Sequence, residues 1–261
     1  ERLAVIRLQP ETVIDWGAFL GASRALLMAA YPQARVLAVE TGPARRDATL
    51  AALEAPWWSP RRWAARPAAV VTEAELGAGQ GQLLWSNMGL HGAIDPQAVM
   101  AAWHRALQPG GFLMFSTLGP GSLESLRTLY AARGWPPPHA PFVDMHDLGD
   151  MLVAAGFADP VMDQETVTLT WPSGEALLAE LRQLGANVDP HRFAGLRTPR
   201  WRRRLAEALQ AQAGADGRPR LAFEVVYGHA FRVAPRPRVA AETAVAVDDM
   251  RAMVRAGRRR T

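Results

Sequence analysis

The chain has 261 residues, 49% of them hydrophobic, and a formal net charge of +4. That allows one large or two small domains around a substantial core and excludes wholesale disorder. There is no cysteine, so disulfides, thiolate metal sites and cysteine nucleophiles are out, and with no lysine among the 29 cationic positions so are Schiff-base chemistry and a P-loop lysine.

Residues 1–11 read as a lead into the first strand. The opening Glu1-Arg2-Leu3 looks unlike a signal peptide, and no apolar run approaches the ~20 residues that span a bilayer. A cytoplasmic protein is expected. Val13 and Ile14 are β-branched and apolar, as in a buried parallel strand, which would end near Asp15 and Gly17. Gly21 follows four residues after Gly17, residues 20–30 read as a helix, and Pro32 stops it. Residues 36–39 form a second short strand ending in Glu40. Strand, glycine turn, helix, strand, acid is a mononucleotide-binding half: glycines admit a ligand close to the backbone, and the terminal acid can take both ribose hydroxyls.

Residues 45–53 read as helix, and Trp57, Trp58 and Trp63 sit in a proline-rich stretch read as a packed loop. Residues 68–72 form a third strand, followed by a glycine-rich turn that carries Glu73 and Glu75. Residues 82–89 form a fourth strand breaking into a polar turn, which puts Asn87 and His91 on the same carboxyl edge as Asp15 and Glu40. A helix over 96–107 runs into Leu107-Gln-Pro-Gly-Gly-Phe-Leu-Met-Phe-Ser, read as a compact turn between helix and strand, with Pro109 ending the helix. Helices follow over 121–133 and 144–156, then an alternating strand over 161–169 and a long strand over 221–233. Between those strands, residues 173–217 form a helical insertion with Arg197, Arg200, Arg202, Arg203 and Arg204 in eight residues. Residues 234–261, with a possible helix over 240–256, read as a peripheral tail on a single domain of residues 1–233.

The Asp15-x-Gly17-x-x-x-Gly21 turn is not the dinucleotide fingerprint. It resembles the Asp-Leu-Gly-Cys-Gly-Thr-Gly loop of class I S-adenosylmethionine methyltransferases, with Phe19 at the middle glycine, where backbone would approach the methionine part of the cofactor. The Leu-x-Pro-Gly-Gly-x-Leu run resembles the fifth-strand entry of the same enzymes. Three further stretches are similar to one subfamily: Ser86-Asn-Met-Gly-Leu-His91, Leu177-Leu-Ala-Glu-Leu-Arg-Gln-Leu-Gly-Ala-Asn187 and Phe223-Glu-Val-Val-Tyr-Gly-His-Ala-Phe231. They look like the malonyl-acyl-carrier-protein O-methyltransferases of biotin synthesis, and the likeness spans residues 12–233.

The resemblance implies an α/β Rossmann-like fold: a seven-stranded, mostly parallel sheet with an antiparallel last strand, helices on both faces and the helical insertion before that strand. It implies S-adenosylmethionine held by Asp15, Gly17, Gly21, Glu40 and Asn87, with Glu73 or Glu75 at the adenine. It implies a malonyl thioester on an acidic acyl carrier protein as substrate, met by His91, Arg182, Arg197, Arg200, Arg202, Arg203 and Arg204. It also implies an N-terminal helix with an active-site tyrosine before residue 1, and residues 1–30 hold no tyrosine. No base, nucleophile or metal cluster stands out, and a carboxylate acceptor needs no deprotonation at neutral pH. A nucleic-acid role is disfavoured, because the arginines lack interleaved aromatics apart from Trp201 and overall charge is low. The alternative is a degenerate relative that keeps the fold and a partner-binding surface without methyl transfer.

Overall fold

A computed structural model describes Leu3 and residues 7–53, 69–185 and 187–233. The expectations for Trp57, Trp58, Trp63 and the tail 234–261 lie outside these residues. The elements are β1 (Thr12–Trp16), α1 (Arg24–Ala30), β2 (Arg35–Glu40), α2 (Pro43–Leu53), β3 (Ala69–Thr72), β4 (Gly81–Asn87), a 3-10 turn at Leu90–Gly92, α3 (Pro96–Ala106), β5 (Leu107–Leu118), α4 (Glu124–Ala132), α5 (Met145–Ala154), β6 (Ala158–Thr170), α6 (Gly174–Leu181), α7 (Pro199–Gln210) and β7 (Arg220–Phe231).

The strands form one seven-stranded sheet in the order β3-β2-β1-β4-β5-β7-β6. The first five are parallel, and β7 runs antiparallel to both β5 and β6. This is the Rossmann-like sheet the resemblance implies. The chain order reverses at β1, which places the carboxyl ends of β1, β2 and β4 around one crevice, where open parallel sheets bind ligands.

Alternation along the strands divides the core. Ile14, Trp16, Leu37, Val39 and Leu84 pack with Met100 and Trp103 of α3 and Leu148 and Leu152 of α5. Val13, Val36 and Leu83 face the other way, onto Leu27 of α1. Asp15 shares its face with Val13, and Glu40 with Val36, so both acids point to the α1 side. A third apolar cluster joins Leu126 and Leu129 of α4 to Leu177 of α6, Leu205 and Leu209 of α7 and Phe223 of β7, so the 173–217 segment packs onto the sheet through its own helices.

Two connections differ from expectation. Helix α1 begins at Arg24 rather than at residue 20, because Phe19 (φ 42°), Leu20 (φ 59°) and Gly21 (φ 75°) are left-handed and cannot belong to a right-handed helix. The Pro109-Gly110-Gly111 run is not a turn between helix and strand. Helix α3 stops at Ala106, Leu107 already pairs with Gly81, and the register shifts before Leu83, so these residues form an irregularity inside β5.

Gly228 marks the crossing of β5, β7 and β6, opposite Phe115 and Met162. A Cβ there would stand 2.3 Å from Phe115 Cε1 and 2.9 Å from Met162 Sδ. Gly228→Ala is expected to destabilise the protein by about 1–3 kcal/mol through overpacking, read as a lower urea midpoint. An unchanged midpoint would mean that the Phe115 ring moves aside freely.

Candidate active site

Asp15 and Glu40 end neighbouring parallel strands, joined by the Gly17 N–H donating to the Val39 carbonyl at 2.8 Å. Both acids are only 1% exposed. Burial pushes the Asp15 carboxyl up from 3.8 to about 7; the nearby Glu40 charge adds to this and Arg24 opposes it. Asp15 Oδ2 is buried and has no hydrogen-bond partner among the described residues. Buried polar atoms in that state are rare and tend to mark a site for a ligand or water.

Glu40 is partnered. Its Oε1 accepts from the Thr49 hydroxyl at 2.6 Å, and that hydroxyl in turn accepts from the Leu20 N–H at 3.1 Å. Thr49 of α2 is itself buried. One side chain thus ties the acid at the end of β2 to the turn after β1. That turn holds two non-glycine residues in the left-handed region, at a cost of about 1–2 kcal/mol each. The side chains of Phe19 and Leu20 are 70% and 50% exposed, so the bulk lies on the solvent side while the main chain takes the conformation that glycines ordinarily take. Gly17 and Gly21 play different parts. Among the described residues beyond its chain neighbours, no heavy atom lies within 4 Å of a Cβ built on Gly17, whereas one on Gly21 would sit 2.3 Å from Leu53 Cδ2. Gly17 leaves room for a ligand, and Gly21 closes the turn onto α2.

Of the two acids after β3, Glu75 is engaged: Arg46 pairs with it at 3.0 Å and the Thr72 N–H donates to it at 2.8 Å, which lowers its pKa. Glu73 lies beside β2, its N–H donating to the Glu40 carbonyl at 3.0 Å, and partial burial raises its pKa.

At the end of β4, Asn87 Oδ1 accepts from the buried Ser116 hydroxyl at 2.7 Å, and the Met88 N–H donates to the same hydroxyl at 3.1 Å. The turn is thereby fastened to β5, and Asn87 keeps its amide donors. His91 sits in the following 3-10 turn, edge-on to Phe142 at 6.1 Å, and His139 stacks on the same Phe142 ring at 4.7 Å. Burial lowers the pKa of both histidines.

The arginines separate into three kinds. Arg200, Arg203 and Arg204 lie on one exposed face of α7, opposite buried Leu205 and Leu209. Arg202 pairs with Glu175 of α6 at 3.2 Å, and Arg182 is exposed at the end of α6. Arg197 is clamped, its guanidinium carbon 3.9 Å from the Phe193 ring centre and 4.3 Å from that of Trp201. Aromatic contact with the arginines therefore extends beyond Trp201. The structure brings Asp15, Gly17, Gly21 and Glu40 together at one crevice and sets Asn87 and His91 along the same sheet edge. The arginines occupy the α6–α7 side. Sequence reading missed Thr49 and Ser116, which no motif marks because their partners lie on other elements: Glu40 and Leu20, 9 and 29 residues from Thr49, and Asn87, 29 residues from Ser116.

Because the Asp15 pKa is raised in the folded state, the native protein holds more protons than the unfolded chain between pH 3.8 and about 7, and stability falls as pH rises through that window. Asp15→Asn is expected to flatten this slope and, at about pH 8, to exceed the parent in stability by up to about 4 kcal/mol. Urea titrations across pH check it; parallel pH profiles for parent and variant would refute the buried-acid assignment.

No known protein-family model matches the chain. Among curated relatives, the malonyl-(acyl-carrier protein) O-methyltransferase of Laribacter hongkongensis is 41% identical over 247 residues, 91% of this chain and 81% of that protein. The enzyme of the same name from Gallionella capsiferriformans is 36% identical, over 90% of this chain and 82% of that one. Among solved structures, the YcgJ protein of Bacillus subtilis superposes with a TM-score of 0.60 at 10% identity, covering 90% of this chain and 97% of that one. A putative methyltransferase of Bacillus halodurans does so at 0.59 and 15% identity, covering 89% and 98%. Haemonchus contortus phosphoethanolamine N-methyltransferase 2, solved with S-adenosylhomocysteine, reaches 0.51 at 14% identity, covering 86% of this chain and 49% of that one. The structures agree in fold. The sequence identities, sustained over nine-tenths of the chain, place it in the malonyl-(acyl-carrier protein) O-methyltransferase family.

Proposed function

We propose that the chain is an S-adenosylmethionine-dependent O-methyltransferase that esterifies the free carboxylate of a malonyl thioester carried on an acyl carrier protein, as a cytoplasmic step towards a biotin precursor. The observation that carries this is the crevice at the ends of β1 and β2, where two buried carboxylates meet a glycine with open space in front of it. The relatives' shared name supports the acceptor.

The residues fit the cofactor. Glu40 would take the ribose hydroxyls, Gly17 would admit the chain of the amino acid, the unpartnered oxygen of Asp15 would face a cation, and Asn87 would add amide donors at the reacting edge. When bound, the cofactor supplies a methyl group on a sulfonium. The protein's part is then to hold an already ionised carboxylate in line with that methyl and to keep water away. No base is required for a carboxylate acceptor that is already ionised at neutral pH. The exposed face of α7, with Arg200, Arg203 and Arg204, suits the acidic surface of a carrier protein, and Arg182 and Arg202 flank it. Methylation removes the charge of the malonyl group, so that chain-extending enzymes can treat it as an ordinary acyl primer.

Transfer of a labelled methyl group from S-adenosylmethionine to malonyl-carrier protein, with none to acetyl-carrier protein, is the expected outcome. If the cofactor fails to bind at millimolar concentration, the enzyme reading falls and the non-catalytic relative takes its place. Thr49→Val is expected to weaken cofactor binding about tenfold, as loss of a hydrogen bond to a charged group does, and to speed hydrogen exchange at the Leu20 amide. Thr49→Ser should restore both. Equal affinity in the valine variant would show that Thr49 positions nothing.

A further inference from the structure

Arg197 differs from every other arginine of the insertion. Its guanidinium carbon lies within stacking distance of two ring centres, Phe193 at 3.9 Å and Trp201 at 4.3 Å. Such stacking leaves only the in-plane N–H groups to be satisfied, and these form a fork that matches two oxygens of one anion. Among the described residues no carboxylate pairs with it, whereas Arg46, Arg202 and Arg220 each have one. Arg197 is also more recessed than the neighbouring arginines of α7.

Its surroundings are built. Trp201 packs on Trp135 at 5.4 Å and Tyr130 lies edge-on to Trp135 at 5.2 Å. Burial pushes the Tyr130 hydroxyl up to about 12, and the Arg197 charge opposes that rise, which puts the cation within electrostatic reach of the phenol. Met88, the residue after Asn87, rests against the same apolar cluster as Trp135 and Trp201. One continuous packed surface therefore joins the clamped arginine to the turn at the reacting edge.

We propose that Arg197, held between Phe193 and Trp201, is the subsite for the phosphodiester of the carrier's thioester arm, separate from the exposed arginines of α7 that meet the carrier protein itself. This rests on the acceptor reading above. A recessed fork held against two rings suits one anion on a slender arm better than the broad acidic surface of a protein. The exposed stripe of Arg200, Arg203 and Arg204 has the opposite character. The malonyl carboxylate offers the same oxyanion chemistry, and the test separates the two sources.

The full chain is titrated calorimetrically with pantetheine, 4′-phosphopantetheine and malonyl-pantetheine, with and without S-adenosylhomocysteine. The parent is expected to bind the phosphorylated arm ten- to a hundredfold more tightly than pantetheine, the range of a charge-assisted pair. Arg197→Met should erase that preference and leave pantetheine itself unchanged, and Arg197→Lys should keep part of it. Arg200→Ala, Arg203→Ala and Arg204→Ala combined should keep the preference. If the methionine variant does not fold, by thermal melting, the lysine variant is read in its place. Equal binding of the two arms by the parent, no binding of either, or an undiminished preference in the variant overturns the assignment. A loss confined to malonyl-pantetheine would hand Arg197 to the carboxylate and overturn it too. Failure of the parent to bind S-adenosylhomocysteine bears on the methyl-transfer reading alone, since the arm titrations do not need it.

Discussion

Burying two carboxylates side by side is the constraint around which this molecule is arranged. Asp15 and Glu40 sit at adjacent strand ends, on one face of the sheet and nearly out of water. Like charges in such a place raise each other's cost, and desolvation adds to it. The protein relieves one of them. Glu40 takes the Thr49 hydroxyl, and the same hydroxyl holds the Leu20 amide of a strained turn. Asp15 is left with an unpartnered oxygen and a pKa near neutrality. A fold under selection for stability alone would place an apolar residue there. Keeping an acid with an unmet bond is what a site for a cationic ligand requires.

The strained turn belongs to the same arrangement. Left-handed backbone at Phe19 and Leu20 costs energy that glycines would not, and the tether to Thr49 helps to hold it. Their side chains are accommodated because they project into solvent. The crevice is therefore shaped by main-chain conformation, and the identity of the residue matters less than the dihedral it is made to adopt. Along the same edge, Ser116 does for Asn87 what Thr49 does for Glu40: a buried hydroxyl on a neighbouring element holds the polar group at the strand end.

Charge on the other side is sorted by burial. Of the run, Arg202 pairs with Glu175 of α6, Arg197 lies against two rings, and Arg200, Arg203 and Arg204 form an open cationic face. Exposed charges act at a distance and fade with salt, while a clamped guanidinium acts at contact and with direction. A run of five arginines that is uniform in sequence therefore presents three distinct chemistries.

Much of the fold was legible in the residues themselves. Parallel strands buried on both faces read as short apolar runs, so Val13-Ile14, Val36 to Val39 and the long apolar stretch of β5 announced themselves, and the acids at their ends showed where ligand chemistry would gather. Local pattern also determined the insertion's helices, because α7 has Thr198 as its cap and Pro199 in its first turn. A residue does not fix a conformation: Phe19 stands at a glycine position of the family loop and its backbone is left-handed as a glycine's would be, while Pro109-Gly110-Gly111 reads as a turn in sequence and lies inside β5. What only the tertiary structure decided are contacts between separate elements: Thr49 of α2 against Glu40 of β2, and Ser116 of β5 against Asn87 of β4. Such pairings depend on how elements dock, and docking is set by the packing of whole faces, which no local pattern of residues encodes.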